Sequence, residues 1–326
     1  MNRLRKTAVW APCLLLISSG LVAQENAGID DAARFAPGIV RVIDPPPQPE
    51  ETFTGPLPLQ EFLANNAQID WKAPDFPDSQ PHFDARSRTL IEMAKNVTFR
   101  REVHGFEFAF KPMRQIYVDV PQASGVMKRK LVWYMVFRIR YRGGDLRGKE
   151  VVDEFGNKTY PDIEAVAYQQ RRCYPMFVLV NHGKGKEYID RILPMARDVI
   201  AEREQIKSKL HNTVEIGTVN IPRSTSPDAP GVWGYATWED VDPTTDFFSV
   251  NVRGLTNAFQ IVQEGGEDKV LRKVLQLNFF RPGDSVRQLA DEIRFGVPAY
   301  DDPQEQAYVL KQYGLPERLD YRWIFR

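Results

Sequence analysis

The stretch from Lys130 to Arg142 constrains this chain more than any other. Trp133, Met135, Phe137, Ile139 and Tyr141 fall on one face of an extended strand. Val132, Tyr134 and Val136 share the other face, which then turns basic with Arg138, Arg140 and Arg142. Side chains alternate between faces in a β-strand, so this period of two predicts a strand buried on both sides over its first half. The change from apolar to basic predicts that the strand emerges from under a covering element. Gly143-Gly144 ends it.

Similar alternation recurs on both sides. Phe106, Phe108 and Phe110 alternate with Glu107 and Ala109, and Lys111-Pro112 separates them from Gln115 to Val120. Further strands are expected at Tyr174 to Asn181, Val214 to Val219, Gly234 to Val241, Asp246 to Leu255, Val270 to Phe280 and Tyr321 to Phe325. Residues 143–174 form a polar excursion in which Gly156-Asn157 is placed to turn a small hairpin. Beyond residue 97, helical spacing is found at Tyr188 to Leu210, with Pro194 near its start, and at a short segment from Pro303 to Lys311.

The pattern predicts a mainly β fold with minor α, built as an antiparallel β-sandwich. Two β-rich blocks, 97–182 and 213–326, flank a connecting helix region at 183–212. They are expected either as two immunoglobulin-like lobes joined by a helix or as halves of one larger sandwich. Upstream, residues 24–96 are proline-rich. The run from Ile43 to Glu51 is a polyproline-type spacer, and helices are expected at Leu59 to Asn65 and Ala85 to Lys95. Phe53, Phe62, Trp71, Phe76 and Phe83 are candidate anchors by which this segment wraps the body.

Residues 1–23 carry Arg3, Arg5 and Lys6 ahead of an apolar run that closes in Leu21-Val22-Ala23. That order predicts a secretory signal peptide cut after Ala23. The expectation is an exported protein of the periplasm or extracellular space, membrane-associated if the leader is retained. No later apolar run is long enough to cross a bilayer as a helix, so no transmembrane segment is expected in the mature chain. Of the two cysteines, cleavage removes Cys13 and leaves Cys173 alone. The mature fold then rests on its core and not on disulfides. The chain has 43 basic and 43 acidic residues. A balance of this kind does not point to nucleic acid.

Motifs of known chemistry are sparse. His82, His104, His182 and His211 show no metal-ligand spacing. The run from Asn181 to Lys186 resembles a phosphate loop only superficially, because Glu187 stands where that loop requires Ser or Thr. Glu239, Asp240, Asp242 and Asp246 crowd one loop without the calcium-binding pattern. No nucleophile elbow is present. No catalytic, cofactor-binding or metal-binding residue is nominated, and no cofactor is expected. The arginine ladder of Arg138, Arg140 and Arg142 is the candidate partner contact, since guanidinium groups suit carboxylates and phosphates. Asp119, Glu107 or acidic residues of the 143–174 excursion are the alternative partners within the chain.

Three stretches, Phe108 to Arg114, Leu131 to Tyr141 and Phe248 to Asn257, form a set that resembles uncharacterised exported proteins of planctomycete-type bacteria. The resemblance implies export and carries no chemistry. The functional expectation is a non-enzymatic envelope protein that binds or scaffolds an envelope protein or polysaccharide. The alternative is a metal-independent enzyme acting on envelope polysaccharide.

Overall fold

A computed structural model of the protein describes residues 34–38, 40–52, 100–283 apart from 153, 155, 157 and 227, and 293–326. The leader, the helices expected at Leu59 to Asn65 and Ala85 to Lys95, the five aromatic anchors, His82 and Asn157 lie outside these residues. The fold is β-rich, with two main sheets and two short helices.

The first sheet is organised around β4 (Met127–Arg140). One edge of β4 is covered by two shorter strands in succession. β3 (Arg114–Pro121) pairs antiparallel with its first half, and β2 (Glu107–Phe110) with its second. Lys111 and Pro112 break what would otherwise be one strand, as expected of a proline that has no amide to give the ladder. β1 (Arg41–Ile43) adds outside β2. The other edge of β4 pairs with β12 (Val232–Glu239), and β10 (Leu210–Asn212) runs parallel beyond it.

The second sheet follows the order β9 (Lys186–Ile189), β8 (Met176–Asn181), β13 (Phe247–Arg253) and β15 (Glu267–Phe280). β14 (Phe259–Glu264), β16 (Arg294–Phe295) and β17 (Tyr321–Phe325) also pair with β15. A hairpin of β5 (Asp145–Val152) and β6 (Lys158–Val166) projects from the polar excursion, with Gly156 at φ 83° in its turn. A two-residue pairing joins β7 (Gln170–Arg171) to β11 (Ile221–Pro222).

The apolar faces of the two sheets meet in one core. Phe108, Phe110, Trp133, Phe137 and Trp238 from the first sheet contact Phe177, Phe248 and Phe279 of the second, with the Phe137 and Phe177 rings 4.6 Å apart. Each sheet draws strands from both sequence blocks, since β4 pairs with β12 and β8 with β13. The alternative of two lobes, each with its own sheets, is corrected accordingly. Separate lobes would have left one edge of β4 and one edge of β13 without these partners. The opposite face of β4, through Val132, Tyr134 and Val136, lies under α1 (Ala196–Arg203) and Leu193. That is the covering element expected from the change to arginine.

Two local expectations are also corrected. The helical spacing from Tyr188 to Leu210 yields only α1. Tyr188 belongs to β9 and turns its ring into the core between the sheets, and Gln205, at φ 55°, breaks the helical backbone just past Arg203. Val214 to Val219 is not a strand but carries a 3-10 turn over Glu215–Thr218. The Asn212 side chain accepts from the amides of Val214 and Glu215, while the Glu215 carboxylate accepts from the Asn212 amide. This reciprocal cap satisfies amides that a strand would have offered to a neighbour.

The proline-rich run lies against the body. Ile43 enters the core, and a Cβ on Gly105 would stand 2.6 Å from the Pro47 ring. Lys273 on β15 donates to Pro46 O at 2.9 Å and to Glu51 Oε1 at 2.5 Å. The amide of Arg101 donates to Thr52 O at 2.8 Å, so the chain leaves at Thr52 and returns beside it. A short Gly-Ser bridge replacing residues 53–99 is therefore expected to preserve the fold. Chemical denaturation checks this, and a collapse of the unfolding transition would contradict it.

Candidate functional site

The arginine ladder converges on one carboxylate. Antiparallel pairing sets Glu107 of β2 directly opposite Arg140 of β4, and Arg138 and Arg142 fall on the same face two residues to either side. Arg140 bonds Glu107 Oε1 through Nε at 2.5 Å. Arg142 Nη1 lies 3.1 Å from Oε2, and Arg138 Nη2 lies 3.9 Å from Oε1. The side chains of Glu107 and Arg140 are 5% and 6% exposed, that of Arg138 19% and that of Arg142 36%. Arg140 is thus an internal partner of Glu107, and Arg142 is the member that faces outward. Gly231 on the loop before β12 admits this packing, because a Cβ there would stand 2.6 Å from Arg140 Cγ. Burial lowers the pKa of Arg138, the like charge of Arg140 adds to this, and Glu107 opposes both. Among the described residues, these three guanidinium groups are gathered around the Glu107 carboxylate. Asp119 lies opposite Arg129 instead, and Asp145 of the excursion bonds Arg171 at 2.6 Å.

The other sequence candidates answer one another. The turn from Asn181 to Lys186 and the acidic loop after β12 come together. Lys184 Nζ lies 2.5 Å from Asp242 Oδ2 and donates to Thr244 at 3.2 Å. This bond and those from Thr244 hold the Asp242 carboxyl well below the usual carboxylate range. Lys130 lies 2.8 Å from Asp240 and 3.7 Å from Glu239, which also pairs with Arg191. Basic turn and acidic loop neutralise each other. Among the described residues no group of three or more His, Cys, Asp or Glu side chains is placed to hold a metal ion.

Cys173 is fully buried, and burial alone raises its thiol pKa. Its neighbours Arg171 and Arg172 turn away to Asp145 and Asn220. Asp145 also accepts from the Tyr141 hydroxyl at 2.7 Å, and Arg171 continues to Glu102, which accepts from Tyr168. This network ties the root of the β5–β6 hairpin to the body.

His182 Nε2 lies 2.7 Å from Ser249 Oγ, the spacing of a nucleophile and its base. The surroundings assign it otherwise. Ser249 is buried, gives its proton to Asn278 Oδ1 at 2.7 Å and accepts from Gln276 at 3.1 Å. The group is a satisfied polar lattice on the outer face of the second sheet. Burial, with Arg322 and Arg326 adding, lowers the His182 pKa from 6.5 to about 4. A neutral buried imidazole stabilises the fold above the unfolded pKa. That stability falls as the pH drops from 6.5 towards 4, by up to about 3 kcal/mol in all. His182→Gln is expected to flatten this part of the stability profile in urea titrations, and an unchanged slope would contradict the assignment.

Sequence reasoning missed one cluster altogether. Glu204, just beyond α1, is fully buried with Lys111 Nζ 2.7 Å from Oε2 and Arg114 Nε 3.1 Å from Oε1. Tyr134 donates its hydroxyl to Oε1 at 2.8 Å, and burial together with the Glu204 charge raises its pKa. Phe35 closes the cluster with its ring 3.4 Å from the Arg114 guanidinium carbon, and Ala36 O accepts from Lys111 at 3.1 Å. The one hint in the sequence was a lysine before Pro112 in the middle of an apolar run. A separate groove of about 550 Å³ lies between Tyr174 and Val214, with Arg172 at its margin.

No protein-family model, curated protein or solved structure matches the chain. Among the described residues no helix is long and apolar enough to cross a membrane.

Proposed function

We propose that this is an exported, non-enzymatic envelope protein that binds or scaffolds another macromolecule, with the arginine cluster as its contact for an acidic partner. The leader-like start supports export, and the pairing of the two facing sheets supports a single antiparallel β-sandwich as the scaffold. One observation carries the binding role: three guanidinium groups surround a single buried carboxylate. Glu107 balances Arg140 from within, and Arg142, the most exposed of the three, is left to share the same carboxylate at longer range. A carboxylate or phosphate of a partner would complete the charge balance there through bidentate contacts.

The test is binding of the full chain to immobilised polyglutamate across a salt series. Arg142→Ser is expected to weaken retention at least fivefold and to reduce its salt dependence. Its effect on stability should stay within about 1 kcal/mol, as for other exposed ion pairs. Retention that is unchanged in the variant would overturn the assignment.

A further inference from the structure

We propose that the cleft beside the second helix is a binding site for a neutral carbohydrate. It extends the binding role to a second place and does not depend on the arginine cluster. α2 (Pro303–Tyr313) packs against the second sheet at its Phe247 end and leaves an open cleft of about 440 Å³ along its first two turns. Phe247 and buried Val309 supply apolar walls. Tyr313 fixes Phe247 from below, with ring centroids 5.9 Å apart and its own hydroxyl bonded to Phe279 O at 2.5 Å. Tyr300 and Tyr308 stand at the cleft 41% and 60% exposed. The amide of Tyr300 is held at 3.0 Å by Gln306 Oε1, so its backbone is set by the helix.

Among the described residues, the polar groups in this cleft other than Asp302 are uncommitted. Asp302 is spent as the helix cap, accepting from the Gln304 amide at 2.9 Å. Among the described residues, no hydrogen bond engages the hydroxyls of Tyr300 and Tyr308, the Gln304 side-chain amide or the Glu305 carboxylate. Two aromatic rings, an apolar wall and four free donor or acceptor groups define the ligand. It must offer a flat C–H face to the rings and several hydroxyls to the rim, which a pyranose does. An apolar peptide would leave the free polar groups without partners, at a cost for each. An anionic polymer would meet Asp302 and Glu305, with no basic side chain lining the cleft. A pocket that is mostly apolar with a few convergent polar groups is the usual form of a small-ligand site.

Titration calorimetry of the full chain with laminarin, xyloglucan and dextran tests this, with polygalacturonate as the anionic comparison. At least one neutral glycan is expected to bind. Tyr308→Ala and Tyr300→Ala should each weaken it at least tenfold, and Tyr308→Phe only severalfold. Arg142→Ser should leave it unchanged, which separates this site from the arginine cluster. Both tyrosines are surface residues, so thermal melts of the variants should match the parent. The proposal falls if no neutral glycan binds, if the double Tyr→Ala variant binds as the parent does, or if polygalacturonate binds as tightly through the same tyrosines.

Discussion

Glu204→Ala is expected to lower stability by about 3–5 kcal/mol, a large share of the roughly 5–15 kcal/mol that holds an ordinary domain folded. The substitution leaves Lys111 and Arg114 beside each other without their carboxylate. Lys111 has no exposed surface, and its remaining acceptors are two backbone carbonyls, those of Ala36 and Glu204. Tyr134 loses the acceptor of its buried hydroxyl as well. The size of the effect comes from stranded charge more than from the lost attraction, so the control is a paired replacement. Lys111→Met with Glu204→Leu removes the fully buried pair and should recover part of the loss, with Arg114 and the Tyr134 hydroxyl still lacking their acceptor. Arg34→Ala, which breaks an ion pair to the neighbouring Glu202 in open solvent, should cost well under 1 kcal/mol. Urea unfolding of the set decides the matter. If the single and paired replacements are equally destabilised, the cluster is held by packing and not by charge.

Glu107→Ala should be nearly as damaging, at about 3–5 kcal/mol, because three guanidinium groups would then lose the buried carboxylate they share. The same reasoning applies to simultaneous replacement of Arg138, Arg140 and Arg142 by Ser. A ladder of surface arginines could be removed with folding intact, but Arg140 holds the Glu107 carboxylate in a buried site. The triple variant is expected to strand Glu107 and lose much of its soluble yield. Arg142→Ser alone should fold. A triple variant as stable as Arg142→Ser would show that Glu107 is solvated and that the pairing is weak.

The regular strands were legible because their pattern is long. β4, β13 and β15 each repeat apolar and polar residues over enough positions to fix both element and face. α2 was legible because Asp302 caps it and Pro303 opens it. The failures share one cause. Tyr188 and Ile189 fit a helical stripe and a strand equally well over so short a stretch, and only the core decides between them. Asn212 and Glu215 settle their segment by a local exchange of hydrogen bonds that hydrophobic periodicity does not register. The meeting of Lys111 with Glu204 depends on how the segment after α1 lies against β3, which no local pattern encodes. Glu107 was within reach as one of several partners for the arginines. Its register opposite Arg140 selects it.

The placement of β4 has a consequence for the order in which the chain is made. Its apolar faces wait for partners that lie far downstream, β12 on one edge and β13 across the core. Contacts so distant in sequence close slowly, and until they close an unpaired apolar strand is an invitation to aggregate. Lys128, Arg129 and Lys130 stand before the apolar run, and Arg138 and Arg140 follow it. Cations bracketing such a run act as gatekeepers, repelling identical strands of neighbouring chains. The arginines that the finished protein gathers around Glu107 thereby guard the nascent chain before Val232 to Glu239 has been synthesised.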